Sequence, residues 1–191
     1  MIETRLVDKS IPITNGLLCI KTSYDNTTDI DTFLESMYDS ATRQSLIGIA
    51  DKLAIKDGGH NKFLEAINVT MCIRAPRYWW QECDTYRAGV TKSSQSTMHT
   101  LKKRPLSQDD FASPINEQYL DYLNNLISSG ASKVEIKNAL PEGFMQMRVV
   151  SLNYKVLRNM YSQRKNHELQ EWKDFCAFIV ENLPYSNWIT G

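Results

Sequence analysis

Residues 74–99, RAPRYWWQECDTYRAGVTKSSQSTMH, combine aromatic, charged and hydroxyl-bearing side chains in one segment. The segment follows an apolar, β-branched run, Ala66–Ile73, which predicts a strand that ends where Pro76 removes a backbone donor. Its three adjacent aromatic residues, its arginines and its polar tail are typical of a pocket for a planar, phosphate-bearing ligand, because rings stack and arginine pairs with anions. The alternative is an aromatic-rich core helix followed by a polar loop, and composition does not decide between the two.

The composition indicates a globular protein. The chain has 191 residues, of which 42% are hydrophobic and 23% charged, so we predict a single domain over residues 1–191 that buries roughly 70% of its unfolded surface. The formal net charge of zero argues against nucleic acid as a partner. No apolar run approaches the ~20 residues that span a bilayer. Four dispersed cysteines and no signal-peptide core predict a cytoplasmic location without structural zinc.

The pattern along the chain predicts an α+β fold, a small, mostly antiparallel sheet with packed helices. Besides Ala66–Ile73, we expect strands at Thr4–Val7 and Leu17–Thr22. Helical spacing favours helices at residues 30–37 and 46–54, the second ended by the glycine pair at 58–59, and at Tyr119–Ser129. The capping box Ser132-x-x-Glu135 opens another short helix. A long helix at Met145–Arg164 and a last one capped by Asn166 complete the prediction.

Two further groups could carry chemistry. The turn at residues 58–62, GGHNK, presents an imidazole, an amide and an ammonium, although a histidine in such a turn is more often a loop residue than a ligand. Asn159, Gln163 and Asn166 share one helical face, at steps of four and three, which is either solvated surface or a pocket wall. The sequence contains no GxSxG, P-loop, GxGxxG or HExxH motif, and its histidines lack metal-ligand spacing. The residues alone therefore indicate a polar pocket without a defined reaction.

From Leu46 to Pro184 the sequence resembles the flavin-dependent thymidylate synthase (ThyX) family in the order and spacing of its motifs. The segment GGHNKFLEAINVTMCIRAP resembles the family's histidine turn and following strand. The Arg-His-Arg signature falls on Thr85-Tyr86-Arg87, and the serine of the next element falls on Ser96. The match is best over LPEGFMQMRVVSLNYKVLRNMYSQRKNHELQEW, the family's asparagine- and arginine-bearing block.

This resemblance implies the family's fold, its cofactors and its chemistry. The family binds FAD, deoxyuridylate, methylene-tetrahydrofolate and NADPH, as a homotetramer with sites between subunits, and it transfers and reduces a one-carbon unit without a cysteine nucleophile. By the same match, the cofactor-binding residues are His60, Asn61, Lys62, Tyr86, Arg87, Asn153 and Asn159. The substrate-binding residues are Glu82, Gln95, Ser96, Lys137, Arg164 and Gln170. Arg164 and Ser96 take the catalytic positions.

Two departures from the family pattern leave the activity open. Thr85 and Met98 stand where the family has arginines, and each lost charge-assisted bond is worth roughly 1.5–3 kcal/mol. Either Arg74, Arg77 or Lys92 holds the anion instead, or the substrate differs. The first hypothesis is a divergent enzyme acting on a deoxyuridylate-type nucleotide. The second is a flavin- or nucleotide-binding protein that has lost or changed methyl transfer. A single-strand nucleic-acid binder comes third, since aromatics beside arginines can stack on bases.

Overall fold

The computed structural model describes residues 2–191. Its strands are β1 Glu3–Leu6, β2 Asn68–Pro76, β3 Val90–Ser94 and β4 Met145–Asn153. Its helices are α1 Ile13–Lys21, α2 Ile30–Glu35, α3 Ser40–Ala54, α4 Arg77–Cys83, α5 Thr97–Thr100, α6 Glu117–Ser128, α7 Lys133–Ala139, α8 Tyr154–Arg164, α9 Gln170–Asn182 and α10 Asn187–Thr190. Short 3₁₀ turns lie at Ser36–Tyr38, Lys62–Ala66 and Gln108–Asp110.

The four strands form one antiparallel sheet in the order β1-β2-β4-β3. Its centre is the pairing of β2 with β4, which runs from Asn68 opposite Asn153 to Pro76 opposite Met145. Pro76 is the last residue of β2, a position where its missing donor costs little. Each of these two central strands leads directly into a helix, β2 into α4 and β4 into α8. The predicted α+β class and the small antiparallel sheet are confirmed.

The prediction of a strand at Leu17–Thr22 is wrong, because this segment lies in α1, with Thr22 as the C-cap of that helix. Its apolar residues bury at helical steps, with Leu17 and Ile20 three residues apart and both inaccessible. Gly16 lets this helix approach the chain closely, since an added Cβ would lie 2.7 Å from the side chain of Ile67. Packing against Ile67 therefore overrides the β-propensity of the segment.

The helix predicted at Met145–Arg164 is also wrong over its first half. Residues up to Asn153 form β4, in which Val150 and Leu152 bury alternately, the period of a strand. At Asn153 the chain turns into α8, and the Asn153 side-chain oxygen accepts a hydrogen bond from the Val156 amide at 3.0 Å. The junction thus puts an asparagine at a helix start rather than inside one long helix.

The remaining predictions hold with shifted ends, except for one cap. The helix predicted at 46–54 lies within α3, and the one predicted at Tyr119–Ser129 overlaps α6, which ends at Ser128. The Ser132 capping box opens α7. The strands predicted at the N-terminus and at Ala66–Ile73 are β1 and β2. Asn166 does not cap the last long helix, because α9 begins at Gln170, after a turn in which the Leu169 amide donates to His167 Nδ1 at 3.2 Å.

Helices cover one face of the sheet and bury four tryptophans there. Trp79, Trp80, Trp172 and Trp188 are fully buried in the main core. A second, smaller apolar cluster forms where residues 101–144 pack on themselves around Leu123 and Ile136. Within residues 2–191, no helix combines the length and the apolar character that crossing a membrane requires.

Candidate ligand-binding site

The loop after α4 and the start of α8 enclose a cavity of about 620 Å³, within the range of small-molecule sites. Four of the residues predicted to bind a cofactor line it: Tyr86, Arg87, Asn153 and Asn159. Its other lining residues are Glu65, Thr85, Ala88, Gly89, Lys155 and Val156. The cavity therefore brings residues 85–89 together with residues 153–159, more than sixty positions away in the sequence, and with Glu65.

Gly89 shapes the narrow side of this cavity. Its φ of 69° lies in the left-handed region, and an added Cβ would lie 3.2 Å from both Asn153 Nδ2 and Val156 Cγ2. A larger residue here would be strained and would push against the asparagine that caps α8. The glycine thus keeps open the space between the loop and the helix.

Cations and amides dominate the polar groups at the cavity. Arg87 is exposed and makes no ion pair within residues 2–191, so its guanidinium is available to an anion. The Lys155 ammonium donates to the side-chain oxygen of Asn61. Asn153 and Asn159 add amide groups that both donate and accept. An arginine beside two amides suits a heteroaromatic ligand that carries phosphate.

Beside the cavity, Arg164 is held in a network centred on Glu82. The Glu82 carboxylate accepts from Arg164 Nη1 and from the indole nitrogen of Trp172, both at 2.7 Å. Arg164 Nε donates to the Tyr86 hydroxyl at 3.0 Å, and the guanidinium lies 4.8 Å from the centre of the Trp172 ring. Two sides of the guanidinium are thus engaged, while no hydrogen bond from Nη2 occurs within residues 2–191.

Hydrogen bonds connect this network to the cavity. The Tyr86 hydroxyl donates to the Gln163 side-chain oxygen at 2.7 Å, and Gln163 donates in turn to Asn159 at 3.1 Å. Tyr86 and Asn159 both line the cavity. The series Arg164–Tyr86–Gln163–Asn159 therefore joins a predicted substrate residue to two predicted cofactor residues.

Other predicted cofactor residues lie elsewhere in this chain. Asn61 is fully buried and donates to the Ala54 carbonyl at 3.4 Å, so it acts on the cavity through Lys155 rather than by touching a ligand. His60 and Lys62 are exposed and line a separate cavity of about 420 Å³.

The predicted substrate residues are also divided. Gln95 and Ser96 are exposed at the end of β3, where Gln95 lines a third cavity of about 490 Å³. Lys137 is exposed on α7, and Gln170 is exposed and donates to Asp174 at 2.8 Å. Of the predicted substrate residues, Glu82 and Arg164 form an ion pair at 2.7 Å.

The aromatic segment is a core helix rather than a stacking platform. Trp79 and Trp80 in α4 are fully buried, and the Tyr78 hydroxyl donates to Glu171 at 2.8 Å. The ring-stacking interpretation of residues 78–80 is therefore wrong, and with it the observation that suggested single-stranded nucleic acid.

The cations proposed as substitutes for the lost arginines are already engaged. Arg74 pairs with Glu3 at 2.7 Å, and Arg77 lies 3.5 Å from Glu142. The Lys92 ammonium donates to the carbonyl of Cys83, the last residue of α4, at 2.7 Å and to that of Tyr86 in the following loop at 3.0 Å. Lys92 thus fixes the loop that carries Arg87, and none of these three cations lines the cavity.

Sequence reasoning missed several residues of the site. Glu65, Lys155 and Gly89 line the cavity, and Trp172 orients Glu82. Lys155 had a usable signal, because it lies four residues before Asn159 on α8 and so shares its face. The contact of Trp172 with Glu82 joins residues far apart in sequence and left no local signal.

Two cysteine thiols are too deeply buried to react. Burial raises the pKa of the Cys83 thiol to about 11 and that of Cys176 to about 11, so both are protonated near neutral pH.

We expect a thiol reagent at pH 8 to label the exposed Cys19 in the native protein at least tenfold faster than Cys83 or Cys176, as measured by peptide mass spectrometry. In denaturant all three should react alike; rapid native labelling of Cys83 would contradict the burial.

Comparison with known proteins gives the chain a family and a fold. The family model described as thymidylate synthase complementing protein matches residues 5–184. Thymidylate synthase X from Helicobacter pylori, solved with FAD and dUMP, matches with a TM-score of 0.73 at 19% identity over 98% of this chain and 96% of that one. The UMP/dUMP methylase PolB from Streptomyces cacaoi, bound with 5-Br dUMP, matches with a TM-score of 0.68 at 16% identity over 99% and 94%. No curated protein sequence matches.

Proposed function

The chain belongs to the thymidylate synthase complementing protein family, and from this we propose that it is a flavin-dependent enzyme that transfers and reduces a one-carbon unit on a deoxyuridylate-type nucleotide. The supporting observation is the hydrogen-bonded series from Arg164 through Tyr86 and Gln163 to Asn159. It connects a cation suited to a nucleotide with a cavity suited to a flavin. The relatives solved with FAD and dUMP, or with 5-Br dUMP, support the same assignment.

The cavity residues fit a flavin. Asn153 and Asn159 offer amides for a heteroaromatic ring, and the unpaired Arg87 offers charge to a phosphate. Gly89 keeps the space that a Cβ would fill. When bound, the flavin would supply a hydride, methylene-tetrahydrofolate the carbon and NADPH the reducing equivalents. The protein's part is placement: Arg164, oriented by Glu82 and Tyr86, would bind the nucleotide beside the cavity.

A second copy of the chain would complete the substrate set. Within residues 2–191, Gln95, Ser96, Lys137 and Gln170 make no hydrogen bond to the Arg164 network. A homotetramer of single-domain, cytoplasmic subunits with sites between them would bring them to it. Ser96 of a neighbouring subunit would then take the catalytic position, and His60 of a neighbouring subunit would lie beside the flavin. A monomeric mass by light scattering at micromolar concentration would contradict this assembly.

The alternative is a flavin- or nucleotide-binding protein that has lost methyl transfer. It is favoured by Thr85 and Met98, which stand where the family has arginines, and by the engagement of Arg74, Arg77 and Lys92 elsewhere. Thymidylate formation from dUMP, methylene-tetrahydrofolate and NADPH, measured by mass spectrometry on flavin-loaded protein, separates the two. Flavin release on denaturation without product would favour the alternative.

Flavin occupancy gives the first mutational test. We expect Arg87→Ala, Asn159→Ala and His60→Ala each to lower FAD affinity about tenfold, because each removes one polar or charged contact worth about 1–2 kcal/mol. Absorbance of the purified protein and FAD titration measure this. The exposed Arg5→Ala and Asn125→Ala are matched controls and should retain wild-type occupancy. Unchanged occupancy in all three site variants would overturn the flavin site.

A further inference from the structure

The outer face of α8 carries a row of polar and basic side chains. Lys155, Arg158, Asn159 and Ser162 follow one another at the steps that place residues on one helical face. Together with Asp57, Lys165 and Thr190, they line a cleft of about 240 Å³. The cleft shares Lys155 and Asn159 with the large cavity, so the two spaces adjoin.

This cleft concentrates positive charge in a chain whose formal net charge is zero. Lys155, Arg158 and Lys165 line it, and Asp57 is its one acidic lining residue. Within residues 2–191, none of the three cations forms an ion pair. The Lys165 ammonium instead lies 5.7 Å from the centre of the Tyr161 ring. A cleft with unneutralised cations attracts anions.

Arg158 has an unused donor inside the protein. Its Nη1 is buried and has no hydrogen-bond partner. The guanidinium packs against Gly191, where an added Cβ would lie 2.9 Å from Nη1, and α10 is anchored nearby by the hydrogen bond of Trp188 to Asp51 at 2.7 Å. A buried donor without an acceptor is unfavourable, and buried arginines are normally paired. Packing against Gly191 therefore holds the guanidinium in place, and its positive charge lies at the cleft that Arg158 lines.

We propose that the cleft on α8 is a binding site for a phosphoryl group. The guanidinium of Arg158 and the ammonium of Lys165 supply charge, and the hydroxyls of Ser162 and Thr190 supply further donors. The volume suits a small anion such as pyrophosphate rather than a whole nucleotide. The phosphoryl group is either that of a ligand extending from the adjoining cavity or a free inorganic anion.

Inorganic pyrophosphate is the probe, and its use does not depend on the proposed function. Titration calorimetry at low salt should show saturable binding to the wild type, with about tenfold or greater weakening in Arg158→Gln and in Lys165→Gln, since each loses a charge-assisted contact. Added salt should weaken binding further. Lys173→Gln, an exposed lysine on α9 outside the cleft, is the matched control and should bind as the wild type does.

Equal affinity of the wild type, Arg158→Gln and Lys165→Gln would overturn the site, as would the absence of saturable binding to the wild type. Thermal melting of each variant checks that it is folded. Should Arg158→Gln fail to fold, Lys165→Gln still decides the test, because that side chain is exposed.

A comparison of FAD with riboflavin identifies the source of the phosphoryl group. This part of the test rests on the proposed function. If the group belongs to the dinucleotide, Arg158→Gln should weaken FAD about tenfold without changing riboflavin affinity, and FAD should block pyrophosphate. If FAD-loaded protein binds pyrophosphate as the free protein does, the site serves a separate anion. Protein that binds pyrophosphate but no flavin would refute the proposed function and leave the cleft site standing.

Discussion

Replacing Arg164 with lysine is expected to lower affinity for deoxyuridine monophosphate about tenfold or more and to leave the melting temperature almost unchanged. In the native protein Arg164 donates from Nε to Tyr86 and from Nη1 to Glu82. A lysine ammonium can keep the pair with Glu82 but lacks the planar fork that also serves Tyr86 and a ligand. A role limited to the helix dipole, worth about 0.3–1 kcal/mol, would be retained by lysine. Calorimetric titration with the nucleotide and a thermal melt measure both quantities.

Arg148→Lys is the matched control for this variant. Arg148 also pairs with a carboxylate, that of Asp84 at 2.9 Å, and lies 4.3 Å from the centre of the Trp80 ring. It does not line the cavity, so its replacement should leave nucleotide affinity at the wild-type value. Equal affinity of Arg164→Lys and wild type would remove Arg164 from the proposed nucleotide site and leave it a structural residue.

The second large effect is on stability: Trp79→Ala is expected to lower the free energy of unfolding by about 3–5 kcal/mol. Trp79 is fully buried, and its ring centre lies 4.6 Å from that of Trp172 and 4.8 Å from that of Trp80. Truncation leaves a cavity between α4 and α9 that rigid neighbours cannot fill. Urea denaturation followed by circular dichroism measures the loss.

Trp79→Phe provides the companion variant. The Trp79 indole nitrogen is buried without a hydrogen-bond partner, so phenylalanine loses volume but no hydrogen bond. We expect it to be clearly more stable than Trp79→Ala and to bind flavin and nucleotide as the wild type does. A large loss of ligand affinity in folded Trp79→Phe would restore the ring-stacking interpretation of this segment.

The sequence predicted the fold class because β2 and the helices around it have clear local patterns. It failed at α1 and β4, where apolar residues fit either period and packing decided: Gly16 admits a helix against Ile67, and pairing with β2 extends Met145–Asn153 into a strand. The same contrast between local pattern and tertiary packing applies to the site residues. Asn153 and Asn159 lie six residues apart and meet at one cavity only because Asn153 stands at a strand–helix junction. No local pattern indicates that Glu82 contacts Arg164 and Trp172.

Tyr86 has one hydroxyl proton and gives it to Gln163, while the same oxygen accepts from Arg164. The residue also forms part of the cavity wall. We therefore expect a ligand that shifts this ring to change the orientation of Arg164, and a ligand on Arg164 to change the cavity. Thermodynamic linkage then requires reciprocity. If a cavity ligand changes the affinity for the nucleotide by some factor, the nucleotide changes the affinity for the cavity ligand by the same factor. Tyr86→Phe removes the hydroxyl between Arg164 and Gln163 and is expected to weaken this coupling.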